Sequence, residues 1–139
     1  MNLANFMRAH IYASMETLKY GMEIMGRENV AIDEVYGHGG LFKTQGVAQN
    51  ILAAAIHAPV TVMETAGEGG AWGIALLADY AIHRGEDESL ADYLDRAVFS
   101  GMKKTQARPD GMDENGFDQY MQNFIACLPA QRAAVEGLR

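Results

Sequence analysis

Apolar residues at Leu3, Met7, Ile11, Met15, Leu18, Met22 and Met25 recur at steps of three and four, drawing one stripe along a first helix. Gly26 stands where such a helix would stop. From Val30 to Tyr36 the pattern changes to alternation rich in β-formers, which predicts a strand. From Thr44 to His57 it is again helical and rich in alanine, with Val47, Ile51 and Ala54–Ala55 on one face and Pro59 beyond the end. Val60 to Met63 is a short apolar run that predicts a buried strand. A further helix is predicted from about Ala71 to His83, with Trp72, Gly73, Leu76, Leu77 and Tyr80 facing inward. The small residues Gly73 and Ala75 let that helix approach a neighbour closely. Ser89 is placed to cap a short helix running through Leu90, Tyr93 and Leu94 to Phe99. Met102 to Met112 carries Gly, Pro and charge, and reads as a connecting loop. Phe117, Tyr120, Met121, Phe124, Ile125 and Leu128 then mark a last amphipathic helix, its first turn carrying Asp113 and Glu114 in the sense the helix dipole favours.

Helix, strand, helix, strand, helix is the alternation of an α/β layer. A helical connection between the strands makes them parallel. A sheet of only two short parallel strands leaves both edges open, and stable sheets normally need three or more. The expectation is therefore that the chain is part of a larger sheet, completed by a segment outside it or by another subunit.

Composition narrows the class. The 139 residues suit one domain with its own core, and a hydrophobic fraction of 49% argues against disorder. Every apolar run is interrupted by polar or charged residues, so no membrane span and no membrane partner are expected. No basic segment followed by an apolar one opens the chain, so no secretory signal is expected. The single Cys127 falls in an apolar stripe and reads as a small buried hydrophobe, consistent with a reducing, cytoplasmic home. Eighteen acids against eleven bases give a formal net charge of −7, which argues against a nucleic-acid partner. The cluster of Lys103, Lys104 and Arg108 reads as a solvated patch.

Candidate chemistry concentrates in two glycine turns, each following a strand and opening a helix. The first runs Gly37-His38-Gly39-Gly40-Leu41-Phe42-Lys43-Thr44, the second Gly67-Glu68-Gly69-Gly70. Strand, glycine turn and helix start together let backbone N–H groups meet an anion, and in open α/β folds that edge is the usual ligand edge. Gly39 and Gly40 would offer N–H groups. Thr44 is a hydroxyl near a helix start or a plain cap; Lys43 is a solvated surface lysine or an added positive charge. The turn does not have the spacing of a Walker loop, and it lacks the third glycine of a dinucleotide fingerprint, for which Glu64 is a weak acidic partner. His10, His38, His57 and His83 are dispersed over separate elements, none at helical spacing from a second ligand type, so no metal site is expected. His38 braces the glycine turn or lines a pocket. Glu64 and Glu68 flank the second turn as acid/base carboxylates or, more simply, as caps and loop braces. No Ser-His-Asp or Cys-His pairing can be placed, and no catalytic residue is assigned.

Several blocks together carry a family resemblance: Arg8-Ala9-His10-Ile11-Tyr12, Gly37 to Thr44, Ala53-Ala54-Ala55, Pro59-Val60, and Glu68 to Ala78 with its Gly-Ala-Trp-Gly-Ile-Ala core. They resemble the C-terminal domain of the FGGY carbohydrate kinases, nearest to the ribulokinase and xylulokinase branch. The likeness extends to Ala91-Asp92-Tyr93-Leu94 and to Ala133 to Glu136, covering nearly the whole of residues 1–139. It implies a partial actin-like, ribonuclease-H-like ATPase domain: short parallel strands flanked by helices, with a helical tail. It implies ATP with magnesium, and transfer of the γ-phosphoryl to a ketopentose. The nucleotide-contacting roles map onto Gly39, Gly40 and Thr44, with Gly37 and Lys43 beside them. The family more often has a small or amide residue at the position of Thr44. The sugar pocket, phosphate loop and catalytic aspartate of the family precede the matched region, so the chain is expected to be a lobe fragment, inactive alone. An alternative is a non-enzymatic, homo-oligomerising module that uses exposed sheet edges and a helix rich in methionine, of which the chain has nine.

Overall fold

Asn2 opens the first helix by accepting the Asn5 N–H at 2.9 Å, and α1 then runs Leu3–Arg27. The computed structural model describes residues 2–138. Gly26 lies inside α1 rather than ending it; the chain turns at Asn29, whose φ of 55° is left-handed. Strand β1 is only Val35–Gly37, shorter than the alternation suggests, because among the described residues no strand pairs with residues 30–34. Helix α2 spans Val47–Ile56, β2 Val60–Met63, α3 Gly69–His83 and α4 Leu90–Ala97. Strand β3, Lys104–Ala107, precedes α5, Gly111–Glu136, which contains Pro129.

The sheet has three strands in the order β1-β2-β3. As expected, β1 and β2 are parallel, with Val35 opposite Val60. The third strand corrects the sequence reading, which placed a loop there. It runs antiparallel to β2, pairing Val60 with Ala107 and Met63 with Lys104. Hydrophobic alternation misses it because Lys104, Thr105 and Gln106 are exposed on an edge, where charge and polarity guard against further pairing.

Helix α2 is the hub, buried on nearly every side through Ala48, Gln49, Leu52 and Ala53 to Ile56. It lies on the sheet face that presents Val60 and Ala107, and α1 and α5 close over it with Tyr12, Met15, Phe117 and Met121. Tyr12 stacks at 4.8 Å on Phe117 and edge-on at 5.4 Å on Tyr120. Tyr120 also donates to Glu16; burial first, and that carboxylate second, push its hydroxyl up to about 12.

The predicted α1 stripe is buried only in its middle. Met15 is 2% exposed, whereas Leu3, Met7 and Leu18 are 76%, 54% and 49% exposed. Cys127 is exposed, not buried: it sits on the outer side of α5, away from Phe117 and Met121. Among the described residues no helix is long and apolar enough to cross a membrane.

Candidate functional site

The parallel pair β1 and β2 delivers both glycine turns to one sheet edge, and a cleft of about 650 Å³ opens there. Its walls are Tyr36, Met63, Trp72 and Phe99, with His38 at the rim. Gly39 from the first turn and Gly69, Gly70 and Gly73 from the start of α3 complete the lining. The surface is mainly apolar and aromatic, the usual character of a small-molecule cleft, and the volume is within the usual range. Trp72 and Phe99 form a tilted aromatic pair, their ring centroids 6.4 Å apart and their planes at 54°.

Glycine is required at specific points of this edge. At Gly39 the backbone has φ 105° and ψ 176°, a region closed to side chains, and its N–H donates to the Ala66 carbonyl at 2.7 Å. That bond ties the first turn to the second and corrects the sequence reading, because it commits the Gly39 N–H that was expected to meet an anion. A Cβ on Gly37 would stand 2.7 Å from the Phe42 ring, so Gly37 is bare to let Phe42 fold beneath β1. A Cβ on Gly40, Gly70 or Gly73, by contrast, meets nothing within 4 Å. The space above those three is open.

The polar residues singled out from the sequence separate into two groups. Lys43 donates to Glu68 at 2.6 Å, and Lys43 chiefly holds the Glu68 carboxyl below its ordinary value. Both groups are well exposed, so the ion pair braces the two turns with little stabilisation. Thr44 does not cap the start of α2: it ends the short turn of Gly40–Lys43, and Gly46, with φ 80°, holds the cap position of α2. Glu64 accepts the Lys103 N–H at 3.3 Å, tying the end of β2 to the approach to β3. Of the five predicted nucleotide contacts, Gly39 alone lines the aromatic cleft, while Lys43 lines a neighbouring depression with Glu68.

The histidines are less isolated than their spacing suggested. His83 Nδ1 is 2.8 Å from Asp79, four residues earlier on α3, which corrects the sequence reading. His57, at the left-handed end of α2, has Glu114 at 2.9 Å on one ring nitrogen and Asp118 at 3.0 Å on the other. The two carboxylates meet opposite sides of the ring and cannot share one ion with it. Among the described residues no group of three His, Cys, Asp or Glu could hold a metal.

Sequence reasoning missed Tyr36, Met63 and Phe99 as lining. Phe99 gives no local signal, since α4 and a short turn carry it back over β2 from 36 residues further along than Met63. The recurrence of Tyr36 and Met63 at the carboxyl ends of two parallel strands could have found those two.

The family described as "FGGY family of carbohydrate kinases, C-terminal domain" matches residues 1–82, from α1 to the last turn of α3. No curated protein and no solved structure matches the chain significantly.

Proposed function

Because this chain belongs to the FGGY family of carbohydrate kinases, through their C-terminal domain, we propose that the aromatic cleft and the adjoining glycine turn hold ATP for phosphorylation of a sugar. The observation that carries this reading is the position of the cleft: aromatic walls and bare glycines at the carboxyl edge of a parallel strand pair. The base and ribose occupy the cleft between Trp72 and His38. The phosphates pass over Gly39 and Gly40 toward Thr44, where the absence of a Cβ at Gly40 leaves room for them. Gly37 supports the turn from beneath through Phe42, and Lys43 stands beside it, tied to Glu68.

ATP would supply the phosphoryl group, and transfer of this kind depends on positioning and charge stabilisation. No carboxylate lines the cleft, so a carboxylate that took the proton from the sugar hydroxyl would come from outside this lining. Among the described residues no group of three His, Cys, Asp or Glu is placed to hold magnesium, which would arrive on the phosphates. The substrate we favour is a ketopentose such as ribulose or xylulose, in a cytoplasmic, actin-like enzyme. We expect the present residues to bind nucleotide but not to turn over.

The test is isothermal titration with ADP–Mg. Saturable heat is expected, weakened at least about tenfold in Gly40→Val without a loss of thermal stability, since the new side chain meets open space. Absence of saturable binding, or an unaffected variant, would remove the proposal. Ketopentose phosphorylation by the chain alone at about 1–100 per second would overturn its expected inactivity.

A second reading, self-association, is favoured by one observation. The outer parts of the α1 stripe remain uncovered, with Met7 and Leu18 each about half exposed.

A further inference from the structure

We infer that Glu68 and the phosphates of a nucleotide compete for one cation, the Lys43 ammonium, so that Glu68 sets the affinity of the site from within the chain. This rests on the nucleotide reading above and adds its regulation. The Gly39 N–H is committed to the Ala66 carbonyl, so the first turn offers phosphates less than its glycines promise. A charged side chain can supply what that amide does not. Among the described residues that line the aromatic cleft and the neighbouring depression of about 510 Å³, Lys43 is the only lysine or arginine. Met63 and Trp72 line both hollows, so the two adjoin. Lys43 also ends the short turn that Gly40 opens, beside the open space through which the phosphates pass.

The ammonium is already engaged. Lys43 Nζ donates to Glu68 Oε1 at 2.6 Å, and the stem lies across the second turn, where a Cβ on Gly67 would come within 3.0 Å of it. Glycine at position 67 thus keeps clear the course that brings Lys43 to Glu68. The pair separates easily. Its side chains are 58% and 74% exposed, where an ion pair adds little. The flexible four-carbon stem of lysine can turn its ammonium toward another anion. Glu68, for its part, stands at the start of α3, where the positive end of the helix dipole favours a carboxylate without its lysine. Glu64, the other carboxylate of the depression, is engaged by the Lys103 N–H instead. A terminal phosphate carries more negative charge than one carboxylate and three acceptor oxygens, so it draws the ammonium from Glu68.

The 139-residue chain and its variants Glu68→Gln, Lys43→Gln and the two combined are titrated with ADP–Mg by calorimetry at low salt. Glu68→Gln is expected to tighten binding about three- to fivefold, what an exposed pair contributes when one member is released to a new partner. Lys43→Gln is expected to weaken it about tenfold. Without Lys43, Glu68→Gln should add nothing, and the double variant should match Lys43→Gln within about twofold. Both side chains are exposed, so thermal midpoints should hold. A Glu68 that merely braced the turns would, on replacement, leave affinity unchanged or lower it.

Unchanged binding in Lys43→Gln, or unchanged or weaker binding in Glu68→Gln, overturns the inference and leaves the nucleotide reading standing. So does a gain from Glu68→Gln that persists without Lys43, because Glu68 would then repel phosphate directly. If the unsubstituted chain gives no saturable heat, the reading and the inference fall together.

Discussion

Glu34 shows how one side chain's surroundings fix its response to pH. It precedes β1 on the sheet face opposite α2 and accepts hydrogen bonds from Thr61 and from Gln106, the latter at 2.7 Å. Thr61 first, and Gln106 second, hold its carboxyl below the ordinary 4.5. A depressed folded value means the stabilisation is present above the unfolded value and lost as pH falls through the folded one. Glu34→Gln should therefore lower the urea midpoint at about pH 7, and the two proteins should converge below about pH 4. Equal midpoints at neutral pH would show that the cluster contributes nothing. At this scale the sequence was informative where a residue acts through its own backbone. Ser89 caps α4 as read, accepting from Asp92, and Asp113 and Glu114 lie in the first turn of α5 with the expected charge. It was uninformative where a residue's role depends on a remote partner. Neither the Lys43–Glu68 pair, 25 positions apart, nor the His57 contacts across 57 and 61 positions leaves a local trace.

Among the elements, α2 decides whether the sheet and the helical layer hold together. Its buried Gln49 donates to the carbonyls of Val60 and Thr105 at 2.9 and 2.8 Å, crossing from one strand to the next. Gln49→Leu keeps the volume but leaves both carbonyls without that donor. The expected cost is about 2 kcal/mol, read as a lower urea midpoint with an unchanged slope. A loss under about 0.5 kcal/mol would mean that water replaces the amide. Helices were the legible elements because a buried stripe repeats over many residues, as Phe117, Met121 and Phe124 do on α5. The strands are three or four residues long, too short for alternation to stand out, and β3 shows no apolar pattern along its exposed residues. The uniform burial of α2 also explains why its one-faced pattern under-represents it.

For the molecule as a whole, the main layer and the α3–α4 pair differ in how they are secured. The core draws on α1, α2, α5 and the sheet, and no residue of α3 is fully buried. On the self-association reading, the apolar surface left on α1 would meet another copy. Sedimentation velocity should show association that grows with concentration, and Leu18→Lys with Met25→Lys should return the chain to a monomer. A monomer at every concentration would count against the self-association reading. The two-strand count from the sequence fell short, because the chain itself supplies the third strand that was expected from outside it. The structure fills one side of β2 with β3 and leaves β1 as the other edge.

The loosely held α3 carries Trp72 and Gly73, so one wall of the aromatic cleft stands on a helix with no fully buried residue, whose anchors include the Tyr80 ring edge-on to Tyr93 at 5.3 Å, the Tyr80 bond to the Glu88 carbonyl and the Tyr93 bond to Asp79. Whatever enters must stiffen that wall, and part of its attraction goes into ordering rather than into grip. Occupancy would thus be written in the amide-exchange rates of residues 69–83 more plainly than in any shift of the sheet.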